Sequence, residues 1–123
     1  MTRILYVDDD ADICEVALMA LELDDALAVR ACKSGADALA VAPEFQPALI
    51  LLDVMMPQMD GPTTLAELRA DERTAEIPIV FITARTQTAE VERLTALGAI
   101  GVIPKPFDPM TLADQVRTFL ARG

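Results

Sequence analysis

A chain of 123 residues has the size of one domain and can bury a core without disulfide or metal staples. Ten basic against twenty acidic residues leave a net charge of −10, which repels phosphate backbones and anionic lipid, so neither nucleic acid nor a membrane is expected as a direct partner, although the charge also serves plain solubility. There is no histidine, and the two cysteines have no metal-ligand spacing, which excludes a zinc site and a Cys/His nucleophile.

Apolar runs of strand length alternate with segments of helical period. The first run, Ile4 to Val7, stops at Asp8-Asp9-Asp10. A helix follows, with Ile13, Val16, Ala17 and Ala20 as its expected core stripe and Asp10 as its cap. Leu27 to Cys32 reads as a second strand. Ser34 opens a helix, with Asp37 three residues on in a variant of the capping box, and this helix is expected to end before Pro43. Ala48 to Leu52 is apolar throughout, as a strand buried on both faces should be, and ends at Asp53. After the loop Val54 to Met59, Asp60 caps a helix with Pro62 in its first turn and Leu65 and Leu68 on its inner side. Ala70 to Glu76 is a polar loop. Ile77 to Ile82 is the fourth strand, followed by Thr83 and Ala84. A polar helix runs from about Thr88 to Leu97 and stops at Gly98. Ile100 to Ile103 is the fifth strand and leads into Pro104-Lys105-Pro106-Phe107. Asp108-Pro109 is expected to cap a last helix, with Leu112, Val116, Phe119 and Leu120 on one face.

Strict alternation of five strands and five helices predicts an α/β fold, a parallel sheet covered on both faces by right-handed crossovers. No linker, repeat or low-complexity tract interrupts it, so one domain over residues 1–123 with no output domain is expected. Cys14 and Cys32 read as buried thiols of a reducing compartment. The N-terminal apolar run is too short for a signal peptide and no stretch spans a bilayer, so a cytoplasmic location is expected.

In open α/β sheets, ligands bind beyond the carboxyl ends of the strands. Here strand one ends in Asp8-Asp9-Asp10, strand three in Asp53, strand four in Thr83, and strand five runs into Lys105. Strand two ends in Cys32-Lys33-Ser34, with no carboxylate. In the order 2-1-3-4-5 this silent strand lies at the edge away from the others. Carboxylates brought together repel and need a cation. An all-oxygen donor set favours a hard ion such as Mg²⁺. A carboxylate nucleophile, a divalent ion, an ammonium and a hydroxyl together are what phosphoryl transfer to an aspartate requires. Taken singly, Asp53 reads as a turn or cap residue, Asp8 to Asp10 as a solvated loop and Lys105 as a surface lysine. Their joint placement at the ends of the right strands argues for chemistry.

Val7-Asp8-Asp9-Asp10, Leu52-Asp53-Val54-Met55-Met56-Pro57 with Asp60-Gly61, Ile82-Thr83-Ala84 and Lys105-Pro106-Phe107 together resemble the receiver domains of two-component response regulators, in particular the stand-alone chemotaxis type. The likeness covers the whole chain. It implies a flavodoxin-like (βα)5 fold in which Asp53 accepts a phosphoryl group from a phosphohistidine of a sensor kinase or phosphotransfer protein. It also implies Mg²⁺ at Asp8, Asp9, Asp53 and the carbonyl of Met55, with Asp8 acting mainly through water. Thr83, the backbone N–H of Ala84, and Lys105 would bind the phosphoryl oxygens. A cis bond is implied between Lys105 and Pro106. A downstream partner would read the face of helix 4, strand 5 and helix 5, with the protein a monomer or weak dimer.

Three positions depart from the family pattern. Val102 stands where an aromatic switch residue is usual. Met55 and Arg85 occupy two positions that tune phosphoaspartate hydrolysis, and neither side chain can position a water. A haloacid-dehalogenase-type hydrolase would need an aspartate at position 55. A flavin-mononucleotide binder would need a Ser/Thr/Gly-rich loop where the three aspartates stand. A pseudo-receiver that only binds proteins would not need Asp8, Asp9, Asp53, Thr83 and Lys105 together.

Overall fold

The computed structural model describes residues 1–122. In chain order the elements are β1 (Thr2–Val7), α1 (Ala11–Glu22), β2 (Leu27–Cys32), α2 (Gly35–Phe45), β3 (Leu49–Asp53), α3 (Gly61–Ala70), β4 (Ile79–Thr83), α4 (Thr88–Ala96), β5 (Gly101–Pro104) and α5 (Leu112–Arg122). The strands form one sheet in the order β2-β1-β3-β4-β5, and every pairing is parallel. This is the predicted topology. No helix among the described residues is long and apolar enough to cross a membrane.

The period-2 alternation of the strands divides the core in two. Leu5, Val7, Ile50, Leu52, Ile79 and Phe81 face α2, α3 and α4. Ile4, Tyr6, Leu49, Leu51, Val80 and Ile82 face α1 and α5. All twelve are fully buried. Burying such a side chain contributes roughly 1.5–3 kcal/mol relative to leaving it exposed, so the central strands anchor everything presented at their ends. Cys14 belongs to one face and Cys32 to the other, and both thiols are free. Burial pushes each thiol up to about 11, which leaves both protonated and unreactive at neutral pH.

Three local expectations are corrected. First, the buried stripe of α1 is Cys14, Ala17, Ala20 and Leu21, whereas Val16 is exposed and Ile13 only half-buried. The helix is apolar on two stripes, so periodicity alone could not choose the inner one; the stripe of Cys14, Ala17, Ala20 and Leu21 is the one that joins the core of the sheet.

Second, α2 runs on through Pro43 to Phe45. A proline near the end of a helix forfeits a single backbone bond. The end is held instead by Gln46 in the left-handed region (φ 48°), whose N–H donates to the Ala42 carbonyl at 2.9 Å, and by Arg3 Nε, which donates to the Phe45 carbonyl at 2.7 Å.

Third, Asp108 caps a turn rather than the last helix. Its Oδ1 accepts from the Met110 N–H at 2.9 Å, and α5 begins only at Leu112.

The caps at Asp10, Ser34 and Asp60 are as expected. Asp10 Oδ1 accepts from the N–H groups of Asp12 and Ile13, Ser34 Oγ from that of Asp37 and Asp60 Oδ1 from that of Thr63.

Candidate functional site

The carboxyl ends of β1, β3, β4 and β5 converge on one cluster. Asp8 follows β1 and extends its ladder by one bond, its N–H donating to the Cys32 carbonyl at 3.0 Å. The register then turns its side chain inward, and Asp8 is wholly buried. Its Oδ1 accepts from the Asp10 N–H at 3.0 Å. Its Oδ2 accepts from the Tyr6 hydroxyl at 3.1 Å and from Lys105 Nζ at 3.0 Å. Asp9 is exposed at the rim.

Asp53 is the last residue of β3 and only 4 % exposed. Its position is locked from behind. The N–H of Val54 donates to the Ile82 carbonyl at 3.2 Å, and the N–H of Gly61 donates to the Val54 carbonyl at 2.9 Å. A Cβ at Gly61 would lie 2.4 Å from the Asp53 carbonyl oxygen, so only glycine lets α3 start this close to the aspartate.

Lys105 Nζ also reaches Asp53 Oδ2, at 3.3 Å. The loop carrying it is pinned by the Lys105 N–H donating to the Thr83 carbonyl at 2.8 Å, and the Lys105–Pro106 bond is cis. Thr83 is itself buried, and its Oγ1 accepts from the Arg85 N–H at 3.0 Å. Ala84 follows it at the surface. Met55 is 69 % exposed beside the buried Met56.

One carboxylate oxygen from each of Asp8, Asp9 and Asp53 lies within 4.8 Å of the others. Burial, with the Asp8 charge beside it, pushes the Asp53 carboxyl up to about 6, while Lys105 pulls the other way. Burial works against the Lys105 ammonium, but its hydrogen bond to Asp8 and the charges of Asp53 and Asp8 prevail and hold it above the ordinary lysine range. Three carboxylates against one ammonium leave a deficit of positive charge, and two of the three, Asp8 and Asp53, are buried. The donors are all oxygen, which suits a hard divalent cation.

The sequence-predicted residues Asp8, Asp9, Asp53, Thr83 and Lys105 are thus at one place, with Met55 and Ala84 on the adjoining loops. The end of β2 contributes no carboxylate to the cluster. Val102 is half-buried and packs against the α2/α3/α4 side of the core. Tyr6, by its sequence only a strand residue, joins the cluster through its hydroxyl. The signal was present: in a period-2 strand, residues 6 and 8 share a face, and a buried tyrosine hydroxyl needs a partner.

Comparison with known proteins agrees with this architecture. Residues 4–117 match the response regulator receiver domain. The chain is 38 % identical over 122 residues to the DNA-binding dual master transcriptional regulator RpaA of Synechocystis, covering 99 % of this chain and 50 % of that protein. It is 39 % identical over 121 residues to the DNA-binding response regulator MtrA of Mycobacterium tuberculosis, covering 98 % and 51 %. The chain therefore spans about half the length of these curated relatives. The structure of the chemotaxis protein CheY4 of Vibrio cholerae superposes with a TM-score of 0.87 at 30 % identity, covering 96 % of this chain and 98 % of that one. Sequence, topology and the acidic cluster at the sheet edge converge: this chain belongs to the response regulator receiver domain family.

Proposed function

We propose that this domain is the phosphoacceptor of a two-component or phosphorelay pathway, with Asp53 as the residue that takes the phosphoryl group. One observation carries the reading: a nearly inaccessible carboxylate at the end of the central strand faces an ammonium at 3.3 Å inside a cluster of two further carboxylates. In the transfer, an oxygen of Asp53 attacks phosphorus, the P–O bond forms, and the P–N bond to the donor's histidine breaks with its electrons on the ring nitrogen. Lys105 neutralises charge on the equatorial oxygens, while the Thr83 hydroxyl and the Ala84 N–H donate hydrogen bonds to them. Mg²⁺ fits the donor set and would be held by Asp8, Asp9, Asp53 and the Met55 carbonyl; its charge would offset that of the incoming phosphoryl group. The protein promotes its own phosphorylation and slow dephosphorylation and is not a turnover enzyme.

The partners are proposed on the same footing. A sensor kinase or histidine phosphotransfer protein supplies the phosphoryl group. A donor must reach the nearly closed Asp53 past Lys105, and Lys105 shares an apolar groove with Ile13, Val16, Pro106 and Phe107. That groove continues along α1 to the exposed Met19 and Leu23, so the donor protein docks there. A downstream protein reads the α4, β5 and α5 face in the cytoplasm. The charge of −10 argues against nucleic-acid contact by this domain itself; the DNA binding in the relatives' names belongs to those proteins.

The test is intact mass after incubation with acetyl phosphate, with and without Mg²⁺, beside Asp53→Asn. One added phosphoryl mass that needs both Mg²⁺ and Asp53 supports the reading. No added mass together with no Mg²⁺ binding favours a pseudo-receiver that acts only through protein contacts.

A further inference from the structure

We infer that the Tyr6 hydroxyl is a positioning group for phosphoryl transfer, holding the Asp8 carboxylate in place when Lys105 leaves it for the phosphoryl group. The inference rests on the phosphoacceptor reading and adds a residue to it.

Lys105 Nζ is shared between Asp8 Oδ2 at 3.0 Å and Asp53 Oδ2 at 3.3 Å. A phosphoryl group on Asp53 concentrates negative charge on that side and draws the ammonium toward it. Asp8 is wholly buried, so the oxygen that Lys105 leaves has no bulk water to turn to. A buried acceptor stripped of its donor is costly, and for a charged group more so. Tyr6 prevents this. Its hydroxyl donates to the same Oδ2 at 3.1 Å and comes from the same strand two residues upstream, so it does not move with the lysine loop. A carboxylate has about four lone-pair sites. Tyr6 and the Asp10 N–H occupy one on each oxygen, which leaves one per oxygen for Lys105, a cation or its water.

The ring is also fixed on the far side. Tyr6 is fully buried among the α1 and α5 contacts and meets Phe107 edge-on, with centroids 6.3 Å apart and planes at 75°. Phe107 lies two residues after Lys105. One side chain thus supports both the carboxylate that Lys105 leaves and the loop that carries Lys105. Phenylalanine would fill the same space and keep the ring contact, so the hydroxyl is the separable part.

The experiment compares wild type with Tyr6→Phe, each alone and in a Lys105→Gln background. Phosphorylation by acetyl phosphate is followed by intact mass, Mn²⁺ affinity by the electron-spin signal of the free ion, and folding by thermal melt. Tyr6→Phe is expected to slow phosphorylation about tenfold and weaken Mn²⁺ several-fold in an otherwise folded protein. In the Lys105→Gln background, which has no lysine to release, the rate effect of Tyr6→Phe should largely vanish. A Tyr6→Phe protein with wild-type rate and Mn²⁺ affinity, or one that loses only melting temperature, overturns the inference and leaves the phosphoacceptor reading intact. Wild type that takes no phosphoryl group and binds no Mn²⁺ overturns both. Should Tyr6→Phe not fold, 3-fluorotyrosine reports on the native protein, because Tyr6 is its only tyrosine. Its single fluorine resonance should shift both in Asp8→Asn and on phosphorylation; a resonance that phosphorylation leaves unmoved refutes the proposal.

Discussion

Lys105 Nζ stands 3.3 Å from Asp53 Oδ2 although 52 residues separate them in the chain, and the same ammonium bonds Asp8. The lysine is therefore the stand-in cation of the acidic cluster, and in the proposed transfer it is also the group that pairs with the phosphoryl oxygens. Replacing it should have two effects of opposite sign. Lys105→Met should bind Mg²⁺ more tightly than wild type, because a competing charge is gone. It should also take up phosphate from acetyl phosphate about 10²-fold more slowly, the scale for losing one preorganised charge-stabilising donor. Calorimetric titration and intact-mass kinetics on one preparation would show both; weaker Mg²⁺ binding would contradict the shared-cation picture.

The raised Asp53 carboxyl predicts a pH dependence. Its native value of about 6 lies above the ordinary 3.8, so the native state holds this proton more tightly than the unfolded state does. Asp53's contribution to stability is then fully present below pH 3.8 and is lost as the pH rises from about 4 to about 6. Without divalent cations, Asp53→Asn should melt higher than wild type at pH 7.5, and the gap should close on acidification toward pH 4. Adding Mg²⁺ at pH 7.5 should raise the melting temperature of wild type more than that of Asp53→Asn. A gap independent of pH would show that Asp53 is not the strained carboxylate.

Gly61 sets how closely α3 approaches Asp53. Its added Cβ would meet backbone on two sides, 2.4 Å from the Asp53 carbonyl oxygen and 2.9 Å from Val54 Cα. Neither atom can swing aside as a side-chain tip could. Gly61→Ala should cost about 1–3 kcal/mol by denaturant melt, as overpacking does, and should slow phosphorylation by displacing Asp53. An alanine variant of wild-type stability would mean that the α3 start gives way freely.

Met55 and Arg85 flank the acidic cluster on the loops after β3 and β4, and Met55 is 69 % exposed. A thioether does not orient water, and a guanidinium, which only donates, cannot act as a base. The phosphoaspartate should therefore last minutes or longer in the purified protein with Mg²⁺. A half-life of a few seconds by intact mass would refute this.

The groove along α1 yields a test that separates docking from chemistry. Val16 is 43 % exposed on the outer stripe of α1 and takes no part in the carboxylate cluster. Val16→Asp should cut phosphotransfer from a phosphorylated donor protein tenfold or more while leaving uptake from acetyl phosphate near wild type. Equal loss with both donors would place the defect in the site instead.

Most of the fold was readable because β3 and β4 are apolar on both faces and stop at a polar residue. Asp53 and Thr83 are each the last residue of their strand. The helix caps were readable for a similar reason, since Asp10, Ser34 and Asp60 act on N–H groups two or three residues away. The failures lay where a local signal met a tertiary one. Pro43 ordinarily stops a helix, yet the end of α2 is held by Arg3, 42 residues away. α1 carries two apolar stripes, and the sheet decided between them.

The sequence by itself determined the order of elements and which residues stand at strand ends, because period, capping and turn chemistry act over a few residues. Only the tertiary structure decided that Asp8 is wholly buried while its neighbour Asp9 is exposed, and that one lysine serves two carboxylates. Those facts depend on the register of parallel strands and on crossovers that bring distant segments together, and no local pattern encodes such distances.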